Sequence, residues 1–133
     1  MTDFVLDASA LVALAAMTAP DADLRKRALT GAGAAPELID VEAVHAVRRL
    51  VRRGEMTDED GRRKVRAIRD APISRMSHRQ LLDRVWELRH AVSAYDAAYV
   101  ALAERLSVPL LTCDGRLAKA HGHRAEIVHY PRT

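Results

Sequence analysis

Four acidic residues occupy positions where their carboxylates could act together on one metal ion. Asp7 and Asp114 each directly follow a short apolar run, whereas Glu42 and Asp96 each lie in the first turn of a predicted helix. Carboxylates that converge in one cleft repel each other unless a cation offsets their charge, and Mg²⁺ prefers such oxygen ligands. The chemistry that uses this arrangement is phosphoryl transfer, in which a bound cation activates water and stabilises the departing oxygen.

Short apolar strands that alternate with helices must position these acids. The pattern predicts a parallel sheet covered by helices on both faces. Ligand sites in such sheets lie outside the carboxyl ends of the strands. Asp7, Glu42 and Asp114 belong to that edge by position, and Asp96 joins them if its helix starts nearby. The predicted strands are 4–7, 36–39, 73–76, 108–112 and 126–130.

Polar residues at helix starts divide the rest of the chain. One predicted helix covers 41–53, the next runs from Thr57 to about Asp70, and a later one places Trp86 on its apolar, core-facing stripe. The predicted N-terminal caps are Asp21, Asp40, Thr57, Ser77 and Ser93.

Each of the four acids also has an ordinary structural explanation. Asp7 could cap the helix that follows it, and Asp114, which precedes a glycine, suits a turn. Glu42 could be an acid favoured by the positive end of the helix dipole, and Asp96 occupies the acid position of a capping box. The matched positions of the four, rather than any one of them, indicate a site.

The charge of the chain is unevenly distributed. The 133 residues, predicted to form one domain over 1–133, are 49% hydrophobic and 29% charged, which is typical of a globular protein. The formal net charge is +3, yet residues 48–69 contain nine basic and four acidic side chains. This basic stretch could bind a polyanion or could be an ordinary solvated helix surface.

Several classes of protein are excluded or disfavoured. No apolar run approaches the ~20 residues that span a bilayer, and the N-terminus lacks a basic signal-peptide region, so a cytoplasmic protein is expected. The single cysteine, Cys113, permits no internal disulfide and is expected to be a small residue at a strand end. His121 and His123 lack a third nearby metal ligand and are expected in a surface loop.

Three sequence blocks resemble the PIN-domain ribonucleases. They are VLDASALVAL, the segment PELID followed by Glu42, and AYDAAYVALAERLSVPLLTCDGRLA. The resemblance covers essentially the whole chain, and the compact length is similar to that of the VapC toxins of bacterial toxin–antitoxin pairs. It implies a three-layer α/β/α fold with a five-stranded parallel sheet in the order 3-2-1-4-5.

The resemblance also implies roles for individual residues. Asp7, Asp96 and Asp114 would hold Mg²⁺ or Mn²⁺, and Glu42 would complete the catalytic quartet. Ser9 and Thr112 match accessory hydroxyl positions near the metal. Where relatives often have an asparagine one turn after the glutamate, this chain has His45, which leaves that supporting role open.

The function implied by the resemblance is hydrolysis of RNA by a toxin. Its partners would be an RNA substrate, a VapB-like antitoxin and a second copy of the chain in a homodimer. Arg116 could contact a phosphate or could be a surface charge. Alternatives are a PIN-domain nuclease that processes RNA outside a toxin–antitoxin system, and a module that binds RNA without cutting it.

Two further alternatives find little support in the sequence. A phosphatase with an aspartate nucleophile needs a second acid two residues after Asp7, where Ser9 stands. A receiver-like domain needs paired acids before its first helix and a late lysine after a strand, and neither is clearly present.

Overall fold

Five short parallel strands form the sheet at the centre of the protein. The computed structural model describes residues 1–16 and 19–131. Hydrogen-bonded neighbours follow the order β3-β2-β1-β4-β5, and every neighbouring pair is parallel. The predicted strand order is therefore confirmed. The strands are β1 (Phe4–Leu6), β2 (Gly33–Pro36), β3 (Ile73–Met76), β4 (Leu110–Thr112) and β5 (Ile127–His129).

Helices cover both faces of this sheet. The chain steps from β1 through β2 to β3 in one direction and then crosses to β4 and β5 in the other. Because parallel crossovers are right-handed, the two sets of connecting helices lie on opposite faces. The helices are α1 (Ala8–Ala16), α2 (Ala22–Thr30), α3 (Ile39–Arg52), α4 (Asp58–Asp70), α5 (Leu82–Glu87), α6 (Ala94–Leu106) and α7 (Gly115–Ala118).

Contacts between the helices agree with this three-layer arrangement. Helices α1, α3 and α4 pack against one another, and α5 packs against α6. Within the described part of the chain, no helix is long and apolar enough to cross a membrane.

The strand order changes direction between β1, the central strand, and its neighbour β4. Val5 pairs with Leu110 and Leu6 with Leu111, so the carboxyl ends of both strands lie side by side. The helices that follow them leave toward opposite faces, which opens a crevice between the strand ends. The place where the strand order changes direction is called the topological switch point, and ligands of α/β folds bind there.

Helix α6 is the most deeply buried helix of the structure. Its residues Ala97 to Ala103 are all buried, and it packs across β1, β2 and β4. A helix that is apolar on all sides must be enclosed by protein, and its alanines allow the sheet to approach closely. The N-terminus of α6 is consequently held at the carboxyl edge of the sheet.

The prediction for the second strand is wrong by three residues. The strand expected at 36–39 lies at Gly33–Pro36, and Ile39 instead begins α3 as a buried residue. The first residue of the strand, Gly33, lies beside the ring of Phe4. A Cβ atom on Gly33 would come within 2.6 Å of that ring.

Asp40 does not cap α3. The cap position is Leu38, which makes no side-chain capping bond. Asp40 instead accepts hydrogen bonds from the guanidinium of Arg75 on β3, with Nη2 3.0 Å from Oδ1. Arg75 also donates to the carbonyl groups of Ile68 and Ala71 at the end of α4, each at 2.7 Å. A long-range ion pair has replaced the local cap.

The predicted helix after Ser77 is broken, and Trp86 is not in the core. A 3-10 turn at Arg79–Leu81 precedes α5, so the apolar residues of this segment do not share one helix face. Leu81 and Leu88 are buried, whereas Trp86 is 67% exposed, with the Arg89 guanidinium 4.6 Å from its ring centre.

Other local predictions are confirmed. Asp21, Thr57 and Ser93 accept hydrogen bonds from backbone amides in the first turns of α2, α4 and α6. Strands β1, β4 and β5 lie within the predicted segments and are one or two residues shorter.

The contact between Gly33 and Phe4 generates a stability prediction. We expect Gly33→Ala to lower the free energy of unfolding by about 1–3 kcal/mol, because the added methyl group overpacks two buried strands. Urea denaturation followed by circular dichroism measures the effect. In a Phe4→Leu background the same substitution should cost clearly less, and an equal cost would contradict the steric explanation.

Candidate active site

All four predicted acids line one cleft at the carboxyl edge of the sheet. The cleft has a volume of about 650 Å³ and lies over the switch point between β1 and β4. Its walls come from α1, α3, α6 and the loop after β4. The polar side chains that line it belong to Asp7, Ser9, Glu42, His45, Arg49, Arg53, Ser93, Tyr95, Asp96, Tyr99, Asp114 and Arg116.

Asp7 is the deepest of the four acids. It is only 4% exposed, and its carboxylate accepts three hydrogen bonds. The donors are the Ser9 hydroxyl at 2.6 Å, the Ala10 amide at 3.0 Å and the Thr112 hydroxyl at 2.5 Å. Burial raises the pKa of Asp7, while these donors counteract part of that effect. The bond from the Ala10 amide also makes Asp7 the N-terminal cap of α1, which was the structural alternative for this residue.

The hydroxyls of Ser9 and Thr112 connect Asp7 to the loop after β4. The Ser9 oxygen accepts from the amide of Cys113 at 2.9 Å, and the Thr112 oxygen accepts from the amide of Asp114 at 2.9 Å. Each hydroxyl thus donates to the Asp7 carboxylate after β1 and accepts from a backbone amide after β4. The expected accessory positions lie in direct contact with Asp7, and Cys113 is a half-buried residue at the strand end.

Asp114 both caps a helix and lines the cleft. Its Oδ1 accepts from the Arg116 amide at 2.9 Å and starts the short helix α7. The Arg116 guanidinium lies 3.6 Å from the same oxygen, and its side chain is almost fully exposed to solvent at the cleft. Asp114 therefore has the structural role that its place before a glycine suggested, and it also lies in the cleft with the other three acids.

Asp96 reaches the cleft from the first turn of α6. The Ser93 hydroxyl accepts from the Asp96 amide at 3.1 Å, so the cap fixes where the helix starts. Burial raises the pKa of Asp96, and the charges of Asp114 and Asp7 raise it further. The assumption that this helix starts near the functional edge is confirmed.

Glu42 is held by a residue that the sequence did not single out. The hydroxyl of the buried Tyr99 donates to Glu42 Oε1 at 2.5 Å. Burial raises the pKa of Glu42; the Tyr99 bond opposes this, and the charges of Asp96 and Asp7 add to it. Tyr99 lies three residues after Asp96, on the same side of α6. The three-residue spacing from Asp96 was the only sequence signal for this contact. The apolar residues around Tyr99 favoured a place in the core instead.

The donor set of this cleft fits a hard divalent cation. All four side chains offer carboxylate oxygens, and three of them have pKa values raised in part by the others, so added positive charge would relieve repulsion. Within the described residues, no group of three or more His, Cys, Asp or Glu side chains is already arranged to hold a metal ion.

Two histidine expectations can now be compared with the structure. His45 is exposed and lines the cleft one helical turn beyond Glu42. His123 organises its own loop, with ring nitrogens near the Ala120 carbonyl and the Ala125 amide, each at 3.1 Å. His121 is exposed in the same loop.

Comparisons with known proteins identify the family. A model of the PIN domain matches residues 4–122. The chain belongs to the PIN domain family. Ribonuclease VapC12 of Mycobacterium tuberculosis is 43% identical over 123 residues, which cover 92% of this chain and 95% of that protein.

Solved structures of PIN-like proteins share the fold. PAE2754 from Pyrobaculum aerophilum has a TM-score of 0.65 and 25% identity, covering 93% of this chain and 89% of its own. VapBC2 from Rickettsia felis, solved bound to a DNA fragment from their promoter, also has a TM-score of 0.65, covering 93% and 97%. At 14% identity the second likeness concerns the fold alone. The PIN fold expected from the sequence is confirmed.

The burial of Asp96 in this PIN-domain cleft, together with its repulsion by Asp114 and Asp7, generates a prediction with a defined pH dependence. Because the pKa of Asp96 is raised, its ionisation costs folding free energy. That cost is absent below 3.8, the ordinary pKa of the group, and complete above its raised pKa. We expect Asp96→Asn to increase the free energy of unfolding at pH 7.5 in EDTA by about 1 kcal/mol. Urea denaturation at several pH values should show the gain shrinking toward pH 4.

Glu126→Gln provides the matched control. This exposed residue precedes β5 at the opposite edge of the sheet and carries the same charge. Its substitution should change the free energy of unfolding by less than about 0.5 kcal/mol. An equal gain in both variants would show that overall charge, rather than burial and repulsion in the cleft, controls the stability.

Proposed function

We propose that this protein is a metal-dependent endoribonuclease that acts as the toxin of a toxin–antitoxin pair. The observation that carries the proposal is the convergence of Asp7, Glu42, Asp96 and Asp114 in one cleft at the switch point. The 43% identity to a VapC ribonuclease over most of both chains supports the reaction. The reaction class is hydrolysis of an RNA phosphodiester bond.

Asp7, Asp96 and Asp114 are the residues that would hold Mg²⁺ or Mn²⁺. A bound divalent cation supplies charge stabilisation to the phosphate and lowers the pKa of water. The protein supplies the rigid placement of the three carboxylates. Asp7 is fixed by three hydrogen bonds, Asp114 by the first turn of α7, and Asp96 by the buried helix α6.

Glu42 is suited to orient the attacking water and to accept its proton. Its raised pKa brings it closer to neutral pH, where a general base is most effective. The Tyr99 hydroxyl occupies Oε1, whereas Oε2 accepts no hydrogen bond from any described residue. In the hydrolysis, the water oxygen forms a bond to phosphorus while a bond from phosphorus to a ribose oxygen breaks.

The partners of this activity belong to the same proposal. We propose that residues 1–133 act as one nuclease domain, that a VapB-like antitoxin inhibits it, and that it forms a homodimer. A single cluster of buried apolar residues joins elements from β1 to β5 and supports the first point. Light scattering measures the oligomeric state, and co-purification with the product of the adjacent reading frame tests the antitoxin.

Cleavage of RNA is the direct test of the proposed function. We expect the purified protein to cut single-stranded RNA with Mg²⁺ or Mn²⁺, and excess EDTA to stop it. Asp96→Asn should lower the initial rate at least about 100-fold, because it removes a charge that would hold the cation. Gel analysis of end-labelled RNA measures the rate.

Glu126→Gln is again the control and should cleave at the wild-type rate. Full activity of Asp96→Asn, or of the wild type in EDTA, would refute the mechanism. Tight RNA binding without cleavage at any metal concentration would favour a module that only binds RNA.

The role of Tyr99 gives a separate prediction. We expect Tyr99→Phe to lower kcat about 10-fold and to leave the KM for RNA nearly unchanged, because the ring still packs but Glu42 loses its donor. Single-turnover and steady-state cleavage assays measure both constants. The hydrogen bond lowers the pKa of Glu42. Its loss should therefore shift the pH profile of kcat toward higher pH.

Tyr130→Phe is the matched control for this substitution. The Tyr130 hydroxyl also donates to a carboxylate at 2.5 Å, but its acceptor is Asp23, a residue of α2 that does not line the cleft. Its removal should leave kcat and its pH profile unchanged. If both variants lose the same activity, the Tyr99 bond contributes only to folding.

A further inference from the structure

A row of three residues continues the cleft away from the four acids. His45, Arg49 and Arg53 follow one another at intervals of four along α3 and its C-cap, and all three line the cleft. Residues four apart lie on one side of a helix, and eight residues rise about 12 Å. The row therefore leads from the first turn of α3, where Glu42 lies, to the end of the helix.

The two arginines of this row are available to a ligand. All three side chains of the row are exposed. Arg49 forms no ion pair with any described residue, and Arg53 reaches only Glu55 at a distance of 4.0 Å in a solvent-exposed pair. An exposed pair at that distance contributes little energy, so a phosphate could replace it at small cost.

The other half of the basic stretch has a different environment. On α4, Arg63 lies 3.5 Å from Glu59 and 3.4 Å from Asp60. Arg69 lies 2.8 Å from Asp70. No residue of α4, a helix that the structure describes throughout, lines the cleft. Only the α3 half of the stretch is placed to bind a ligand that also reaches the acids.

An exposed aromatic ring lines the same cleft on another helix. Tyr95 is 65% exposed in the first turn of α6, next to Asp96. Aromatic rings bind unpaired bases by stacking, and a paired duplex does not offer its base faces. Arginines provide phosphate contacts, and their charge selects a polyanion. Together these features match a single-stranded nucleic acid better than an acidic peptide, which has no bases to stack.

We propose that His45, Arg49 and Arg53 bind consecutive phosphates of a single-stranded RNA segment, and that Tyr95 stacks on one of its bases. This inference rests on the proposed nuclease function and assigns it a substrate-binding surface, which we call the α3 track. The α3 track holds the strand along α3, so that the phosphate at its inner end lies beside the four acids.

The salt dependence of RNA binding tests the α3 track without cleavage. We use the Asp96→Asn protein in EDTA and measure by fluorescence anisotropy its affinity for a labelled single-stranded RNA between 50 and 200 mM salt, approximate limits chosen to reveal counterion release. Arg49→Gln and Arg53→Gln should each weaken binding several-fold. Each should also reduce the slope of log K against log salt by about 0.7, the value for one phosphate contact on a single strand.

Arg62→Gln and Arg66→Gln are the matched controls. Both residues are exposed on α4, outside the cleft, and carry the same charge. Their slopes should equal that of the parent protein. Equal losses in all four variants would show a diffuse electrostatic effect, and no loss in the α3 variants would exclude RNA from the track; either result overturns the proposal.

A second pair of variants tests the stacking contact. Tyr95→Ala should weaken binding by about 5-fold or more, while Tyr95→Phe should bind like the parent. With an RNA whose bases have been removed, Tyr95→Ala and the parent should bind equally. If the alanine variant loses the same affinity for the abasic strand, the ring does not stack on a base. If polyglutamate competes as well as RNA, the surface binds any polyanion and the assignment of RNA is wrong.

These measurements separate the α3 track from the catalytic proposal. A wild-type protein that fails to cut RNA with Mg²⁺ or Mn²⁺, although the α3 and α4 variants still differ in slope, would refute the nuclease and leave the track standing. A protein that cuts RNA but shows no difference between α3 and α4 would refute the track alone.

Discussion

The site depends on burying one carboxylate inside the protein. Asp7 is 4% exposed at the junction of β1 and β4, where a carboxylate without hydrogen-bond donors would be very costly. Burial raises the pKa of Asp7, and the hydroxyls of Ser9 and Thr112 counteract part of that effect. The same two oxygens accept from the amides of Cys113 and Asp114, so the contacts that accommodate this carboxylate also fix the loop that supplies the next acid. Burial, strand pairing and site geometry are coupled through two hydroxyl groups.

The other two acids come from helices, and the packing of those helices sets how accurately they are placed. Asp96 lies in the first turn of α6, and the seven residues after it are buried, so its position follows from the core rather than from a surface loop. Glu42 lies near the start of α3 and is tied by Tyr99 to that same buried helix. Mutual repulsion pushes the carboxylates apart, and the rigid supports resist it. A bound cation would remove the repulsion that the fold otherwise has to withstand.

Local sequence patterns predicted the strand ends well and predicted long-range pairing poorly. Asp7 and Asp114 were placed correctly because an acid that directly follows an apolar strand has only one edge to occupy. The start of the strand Gly33–Pro36 was missed because contact with the Phe4 ring requires a glycine at position 33, and glycine is more typical of a loop. Asp40 was taken for a cap because its partner, Arg75, is 35 residues away. In each error a tertiary contact overrode a valid local preference.

Helix α3 shows how an ordinary helix preference can arrange a binding surface. Acids are favoured in the first turn and bases in the last turn, because each offsets the partial charge of the backbone there. Here Glu42 lies in the first turn, Arg49 in the last, and Arg53 at the C-cap, and all three line one cleft. The net charge of +3 conceals this separation, since acids and bases nearly cancel in the total. A polyanion in this cleft would meet the arginines along its length and the four acids at its inner end, where the sign of the charge changes.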